Sequence, residues 1–192
     1  MFVKQHRCKN VKGVIFMRKI EDAGFRSIKA GELPAEGLDP VKLIGQDWML
    51  VTAGREESFN TMTASWGFLG EMWNKPCAVT VLRPQRYTKE FADREELFTL
   101  SFFGEEHTKA LAFCGRHSGR DTDKVAETGL TPVLAGESVA FEEANLVLLC
   151  RKLYVQEMSA ESFIDRGILE ANYSAGDLHT AYIGEIVRAY RK

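Results

Sequence analysis

Between residues 47 and 66 the chain changes from irregular to periodic. Asp47-Trp48-Met49-Leu50-Val51-Thr52-Ala53 is mostly apolar and reads as a buried strand. Gly54 to Ser58 is a polar turn of hairpin length, and Phe59 to Trp66 then alternates. A period of two puts Thr61, Thr63 and Ser65 on one face and Met62, Ala64 and Trp66 on the other. Cys77 to Arg83 is a third strand, rich in β-branched residues, and Leu97 to Phe103 a fourth. In the fourth, Phe98, Leu100 and Phe102 oppose Thr99 and Ser101. Helical spacing comes only in short pieces. Thr88 is placed to cap Lys89 to Arg94, Glu105 to Cys114 carries acids in its first turn, and Gly129 ends Asp123 to Thr128. Beyond residue 131 the chain is mostly strand, notably Asn145 to Met158 and Tyr182 to Tyr190. Strands dominate without a βαβ rhythm. The pattern predicts a mainly β protein, an antiparallel barrel or sandwich with short helices.

Composition narrows the class. With 192 residues, 45% of them apolar and 27% charged, one folded domain is expected and wholesale disorder is excluded. A formal charge of −2 leaves no footprint for nucleic acid, and no apolar run approaches a membrane span, so neither partner is expected. Cys8, Cys77, Cys114 and Cys150 lie far apart, which argues against a metal site and for a reducing, cytoplasmic setting. Charge is uneven, however. Residues 1–19 hold six Lys/Arg and no acid. Residues 1–20 read as a basic, disordered leader with Met17 as an alternative start, and 21–192 as the domain. Its first stretch, to residue 46, is an irregular approach rich in Gly and Pro.

The chemistry is defined first by what is missing. There is no G-x-G-x-x-G, P-loop, H-E-x-x-H or G-x-S-x-G. Two strand-to-helix junctions remain, Arg83-Pro84-Gln85-Arg86-Tyr87-Thr88 and Ser118-Gly119-Arg120-Asp121-Thr122-Asp123-Lys124. Each joins cations to a helix start, a combination that suits a phosphate oxygen. The hydroxyl-bearing strand Asn60 to Trp66 suits the edge of a planar heteroaromatic ligand, with Trp or Met against its face. His179 has Asp177 two residues before it, an alternation that allows an oriented acid–base pair. Cys114 and His117 are spaced for a thiolate–imidazole pair but lack a third orienting residue.

Four segments in order, Asn60-Thr61-Met62-Thr63-Ala64-Ser65-Trp66, Arg86-Tyr87-Thr88, Phe98-Thr99-Leu100-Ser101-Phe102 and the H-x(4)-G-E run of His179 to Val187, resemble the flavin reductase-like FMN-binding family, which includes the flavoredoxins. The resemblance spans about residues 46–188. It implies a split β-barrel, usually a homodimer, with noncovalent FMN near the subunit interface and NADH or NADPH as electron donor. It places Asn60, Met62, Thr63, Ala64 and Ser65 along the ring edge and Arg86, Tyr87 and Thr88 on the ribityl-phosphate tail. Ser101 and Phe102 would line the ring pocket, Ser118, Gly119, Arg120 and Lys124 a loop over the cofactor, and His179 a contact to flavin or nicotinamide. Many of the family's reductases carry an aromatic residue after the loop lysine; here Val125 follows Lys124. The expected activity is NAD(P)H-dependent flavin reduction. The alternatives are an FMN electron carrier needing a partner reductase, or a binding module for another phosphorylated ligand. The electron acceptor has no signature in the sequence.

Overall fold

The structure is a computed structural model that describes residues 16–192. In chain order its elements are β1 (Arg26–Ile28), α1 (Pro40–Gly45), β2 (Met49–Arg55), β3 (Ser58–Ala64), β4 (Gly67–Met72) and β5 (Lys75–Leu82). They continue with α2 (Tyr87–Arg94), β6 (Leu97–Phe102), α3 (Thr108–Arg116), α4 (Lys124–Thr128), β7 (Pro132–Ala135) and β8 (Ser138–Phe141). The long strands β9 (Leu146–Glu157) and β10 (Thr180–Arg191) flank α5 (Arg166–Asn172).

One antiparallel sheet runs β3-β2-β6-β9-β10-β5-β4, with β1 added along β10 and a separate β7–β8 hairpin. The sheet is not closed, so β3 and β4 are its two edges and the barrel is split, as expected. The expected strands and helices recur within a few residues. The periodic reading missed β4, whose Gly67 and Gly70 break the apolar signal, and α5, a seven-residue helix started by the Asp165 cap; the stretch read as an irregular approach also holds β1 and α1, the latter started by the Asp39 cap.

Both faces of the central strands are covered. Met49, Val51, Phe98, Leu100, Phe102, Leu148 and Tyr182 pack inside the barrel. Leu50, Val147, Leu149 and Tyr190 pack outward against α3 and the β7–β8 hairpin. The "polar" face of β6 is therefore buried as well: Thr99 and Ser101 are fully enclosed, and the Thr99 hydroxyl donates to the Val139 carbonyl at 2.5 Å. Ile20 belongs to this outer layer, fully buried, while the Leu134 N–H donates to the Arg18 carbonyl at 2.9 Å. Residues 18–20 thus join the domain rather than the expected leader. Residues 1–15 of that leader, Cys8 among them, lie outside the described residues. Among the described residues no helix is long and apolar enough to cross a membrane.

The H-x(4)-G-E run has two structural parts. A Cβ on Gly184 would sit 2.8 Å from the Phe98 ring, so only glycine lets β10 pass over that side chain. Glu185 ties β10 to its neighbours, accepting from Lys75 of β5 at 2.8 Å and Arg151 of β9 at 2.6 Å. Its carboxyl is held below the usual range by these two cations.

Candidate functional site

Two clefts open beside the β3 edge and share Met62 and Arg86. The first is bounded by Gln85, Tyr87 and Thr88 around the start of α2, by Arg116 to Gly119 at the end of α3, and by Lys124. The second is bounded by Thr63, Ala64, Ser65 and Trp66, by Val81 and Arg83 at the end of β5, and by His179.

The first cleft is cationic, with no carboxylate among its lining residues. Its cations also finish a helix. The last carbonyls of α3 lack intrahelical partners and form the negative end of the helix dipole. Two of them are taken by the cleft's cations: Cys114 O accepts from Lys124 Nζ at 2.9 Å and Gly115 O from Arg86 Nη1 at 2.8 Å. Lys124 Nζ donates also to Thr61 O at 2.8 Å, fastening α3 to the β3 edge. Burial pulls this ammonium down to about 8. Arg116 is exposed and, among the described residues, makes no ion pair with a carboxylate. At the rim, Arg120 lies over the Tyr87 ring at 4.7 Å, bonds Gln85 O at 3.2 Å and pairs with Glu90.

The second cleft offers backbone and aromatic surface. Thr61 O accepts from Lys124, outside the β2–β3 ladder, so Thr61 presents its backbone to the free side of β3. In an antiparallel edge strand the same holds every second residue, which exposes the N–H and C=O of Thr63 toward the cleft. The hydroxyls are spent elsewhere: Thr61 Oγ1 pairs with Thr52 Oγ1 at 2.8 Å and Thr63 Oγ1 donates to Leu111 O. Trp66 and His179 face each other with ring centroids 5.1 Å apart.

His179 does not pair with Asp177. That carboxylate accepts from Gln85 at 2.9 Å and from Arg83, and both bonds hold it below its ordinary range. His179 Nδ1 instead meets the hydroxyl of Tyr173 at 2.8 Å. Burial, with Arg83 and Arg86 nearby, pulls the imidazole down to about 4. It is neutral at pH 7.

Most predicted site residues converge here: Met62, Thr63, Ala64, Ser65 and His179 on the second cleft, and Arg86, Tyr87, Thr88, Ser118, Gly119 and Lys124 on the first. Asn60 lies behind the wall, its amide donating to Thr88 Oγ1 at 2.6 Å. Thr88 is consequently buried inside α2 rather than capping it; Arg86 holds the cap position. Ser101 and Phe102 are corrections. They are fully buried in β6 beneath the outer and inner layers and line neither cleft. Arg120 stands at the rim with its charge met by Glu90. The Cys114–His117 pair does not form: the thiol is buried and pushed up to about 11, while His117 stacks on Phe113 at 4.0 Å. Sequence reasoning missed Arg116, which adjoins the Ser118 loop, and Tyr173, which had no signal in the pattern.

The fold is the split β-barrel of FMN-binding proteins among the solved structures. The chain belongs to the flavin reductase like domain family, which matches residues 42–192. Among solved structures it is similar to an FMN-binding protein from Thermus thermophilus (22% identity, TM-score 0.59, covering 76% of this chain and 71% of that one). It is similar also to flavoredoxin from Methanosarcina acetivorans (20%, TM-score 0.61, 76% and 68%). A third is the NADH:FAD oxidoreductase of Streptomyces globisporus, solved with NAD and FAD fragments (18%, TM-score 0.57, 76% and 74%). No curated protein matches the sequence.

Proposed function

We propose that this chain binds FMN noncovalently across the two joined clefts and takes electrons from NADH or NADPH. The observation that carries this reading is the junction itself: a carboxylate-free cationic cleft continues, through Met62 and Arg86, into one walled by a bare strand edge and aromatic side chains. The donor set fits the group. Arg86 and Arg116 would hold the phosphate, assisted by the first backbone N–H groups of α2. The exposed backbone of β3 would meet the polar edge of the ring, and Met62 its face. Bound there, FMN would supply the hydride and electron chemistry, which belongs to the cofactor. The protein's part is position. Trp66 and His179 border the cleft where a nicotinamide would enter, and the neutral His179 holds no transferable charge at pH 7.

We propose further that a second copy covers the β4 edge. Trp66, Phe68, Met72 and Trp73 are all more than a third exposed there, and Trp66 also lines the ring cleft. A partner seated on this stripe would close the cleft as well as the edge.

Absorption spectra of the purified protein and titration of apoprotein with FMN test the first reading, followed by anaerobic addition of NADH or NADPH. Micromolar FMN binding and bleaching by the nicotinamide are expected. Absence of flavin binding overturns the reading. Binding without bleaching replaces a reductase with an electron carrier.

A further inference from the structure

The loop between β9 and β10 brings a residue to the cleft that neither motif nor period marks. Asp165 caps α5 by accepting from the Gly167 N–H at 2.9 Å, and Tyr173 occupies the other cap position, its N–H bonded to Leu169 O at 2.9 Å. That helix end is pinned from outside. Arg83 donates to Asn172 O at 2.9 Å and lies 5.2 Å from the centre of the Tyr173 ring, and Phe163 packs on the ring at 5.5 Å. The ring meets His179 edge-on at 5.5 Å, with the hydroxyl 2.8 Å from Nδ1. The main chain of His179 is fixed too, because its carbonyl accepts from the Met158 N–H at 2.9 Å.

The direction of the Tyr173–His179 bond decides what His179 can do. Burial pushes the phenol up, so it keeps its proton, and the imidazole is neutral. The charged groups around them are Arg83, Arg86 and Asp177, and Asp177 is already paired with Arg83. The phenol has two acceptors in reach, Nδ1 at 2.8 Å and the Met158 sulfur at 3.8 Å. An imidazole nitrogen is much the stronger acceptor, and thioether sulfur a weak one. Phenol donation to Nδ1 leaves the single ring proton on Nε2, for which the described residues supply no acceptor.

We infer that Tyr173 is a positioning residue that locks His179 in its Nε2–H form, so that His179 offers the ring cleft a neutral donor for a carbonyl oxygen of flavin or nicotinamide. This rests on the flavin reading for its ligand, but the tautomer itself does not. The donor is not an acid: it orients a carbonyl and keeps its proton.

Nitrogen-15 NMR of histidine-labelled protein, without nicotinamide, reads the tautomer directly. The wild type should show Nε2 protonated and Nδ1 bare at pH 7. Tyr173→Phe keeps the ring against Arg83 and His179, loses the hydroxyl, and should show a mixture of tautomers. A wild type protonated on Nδ1, or a Tyr173→Phe spectrum unchanged from it, overturns the proposal even if flavin binds. Loss of one hydrogen bond's bias corresponds to an effect of about fivefold. If the carbonyl is on nicotinamide, Tyr173→Phe should raise KM or slow anaerobic flavin reduction about fivefold with riboflavin Kd unchanged. If it is on the flavin, the riboflavin Kd should weaken instead. His179→Gln retains an N–H near the Nε2 place and should preserve more of the rate than His179→Asn, which carries its N–H near the Nδ1 place. Equal losses in the two variants would count against the donor.

Discussion

Arg86 belongs to two structures at once, since it bonds the α3 carbonyl of Gly115 at 2.8 Å and lines both clefts. Arg116 has no such second partner among the described residues. Arg86→Ala should weaken FMN roughly tenfold or more, the value of a charge-assisted hydrogen bond. Riboflavin, which lacks the phosphate, should lose little affinity, and the salt dependence of FMN binding should flatten. Calorimetric titration of both flavins into apoprotein checks this. Equal losses would assign Arg86 to the α3 end, and Arg116→Ala then isolates the anion contact. His179 gives a second residue-scale expectation. Its folded value of about 4 lies below the ordinary 6.5, so between these values the unfolded chain binds more protons than the folded one. Its contribution to stability is therefore complete above pH 6.5 and is lost as pH falls toward 4. Thermal melts from pH 8 to 4 should show the wild type losing more stability than His179→Gln in that window.

At the scale of elements, the first cleft depends on a three-way contact among β3, α2 and the loop before α4. Asn60 is the centre of it, locked to Thr88 Oγ1 at 2.6 Å. Gly119 crosses so close that a Cβ would lie 1.9 Å from Asn60 Oδ1 and 3.3 Å from the Tyr87 ring. Yielding would cost the amide its bonds to Thr88 Oγ1 and to Thr61 O, the latter at 3.3 Å. Gly119→Ala should cost about 1–3 kcal/mol, the usual range for overpacking, and should weaken FMN by displacing Ser118. Gly31→Ala, where a Cβ meets nothing within 4 Å, should stay within about 0.5 kcal/mol. Denaturant melts of the two variants side by side make the comparison. The helices around the cleft are short, with α4 only five residues long, and rely on caps: Asp123 accepts from the Val125 and Ala126 N–H groups at 3.1 Å, and Gly129 ends α4 in the left-handed region.

For the whole molecule, the open sheet leaves an unpaired and apolar β4 edge. Covering it with a second copy calls for an interface of more than about 1,000 Å² in total, and twofold pairing is the commonest way to form one. Sedimentation at micromolar concentration should show a homodimer. Phe68→Arg, which places a charge in the stripe away from both clefts, should shift the protein toward monomer and weaken flavin through exposure of the Trp66 side. A wild-type monomer that still holds flavin would remove the second copy from the site.

Much of this was legible in the chain itself. The alternation of Phe59 to Trp66 and of Leu97 to Phe103, the Asp123-to-Gly129 helix and the Arg86-Tyr87-Thr88 junction lie where the pattern puts them, because period and capping are local properties. Periodicity states on which side of its own element a residue sits. It does not state what covers that side. Ser101 and Phe102 alternate as a cofactor-lining strand would, yet β7–β8 encloses one and the barrel interior the other. The hydroxyls of Thr61 and Thr63 face as expected but are taken by Thr52 and by the α3 carbonyl of Leu111. Asp177 is two residues from His179 in sequence, but the chain between β9 and β10 turns it onto Arg83 and brings Tyr173 to the imidazole instead. Local sequence determined the elements and the cations. Which partner each polar group found was decided only when distant segments competed for it in the folded chain.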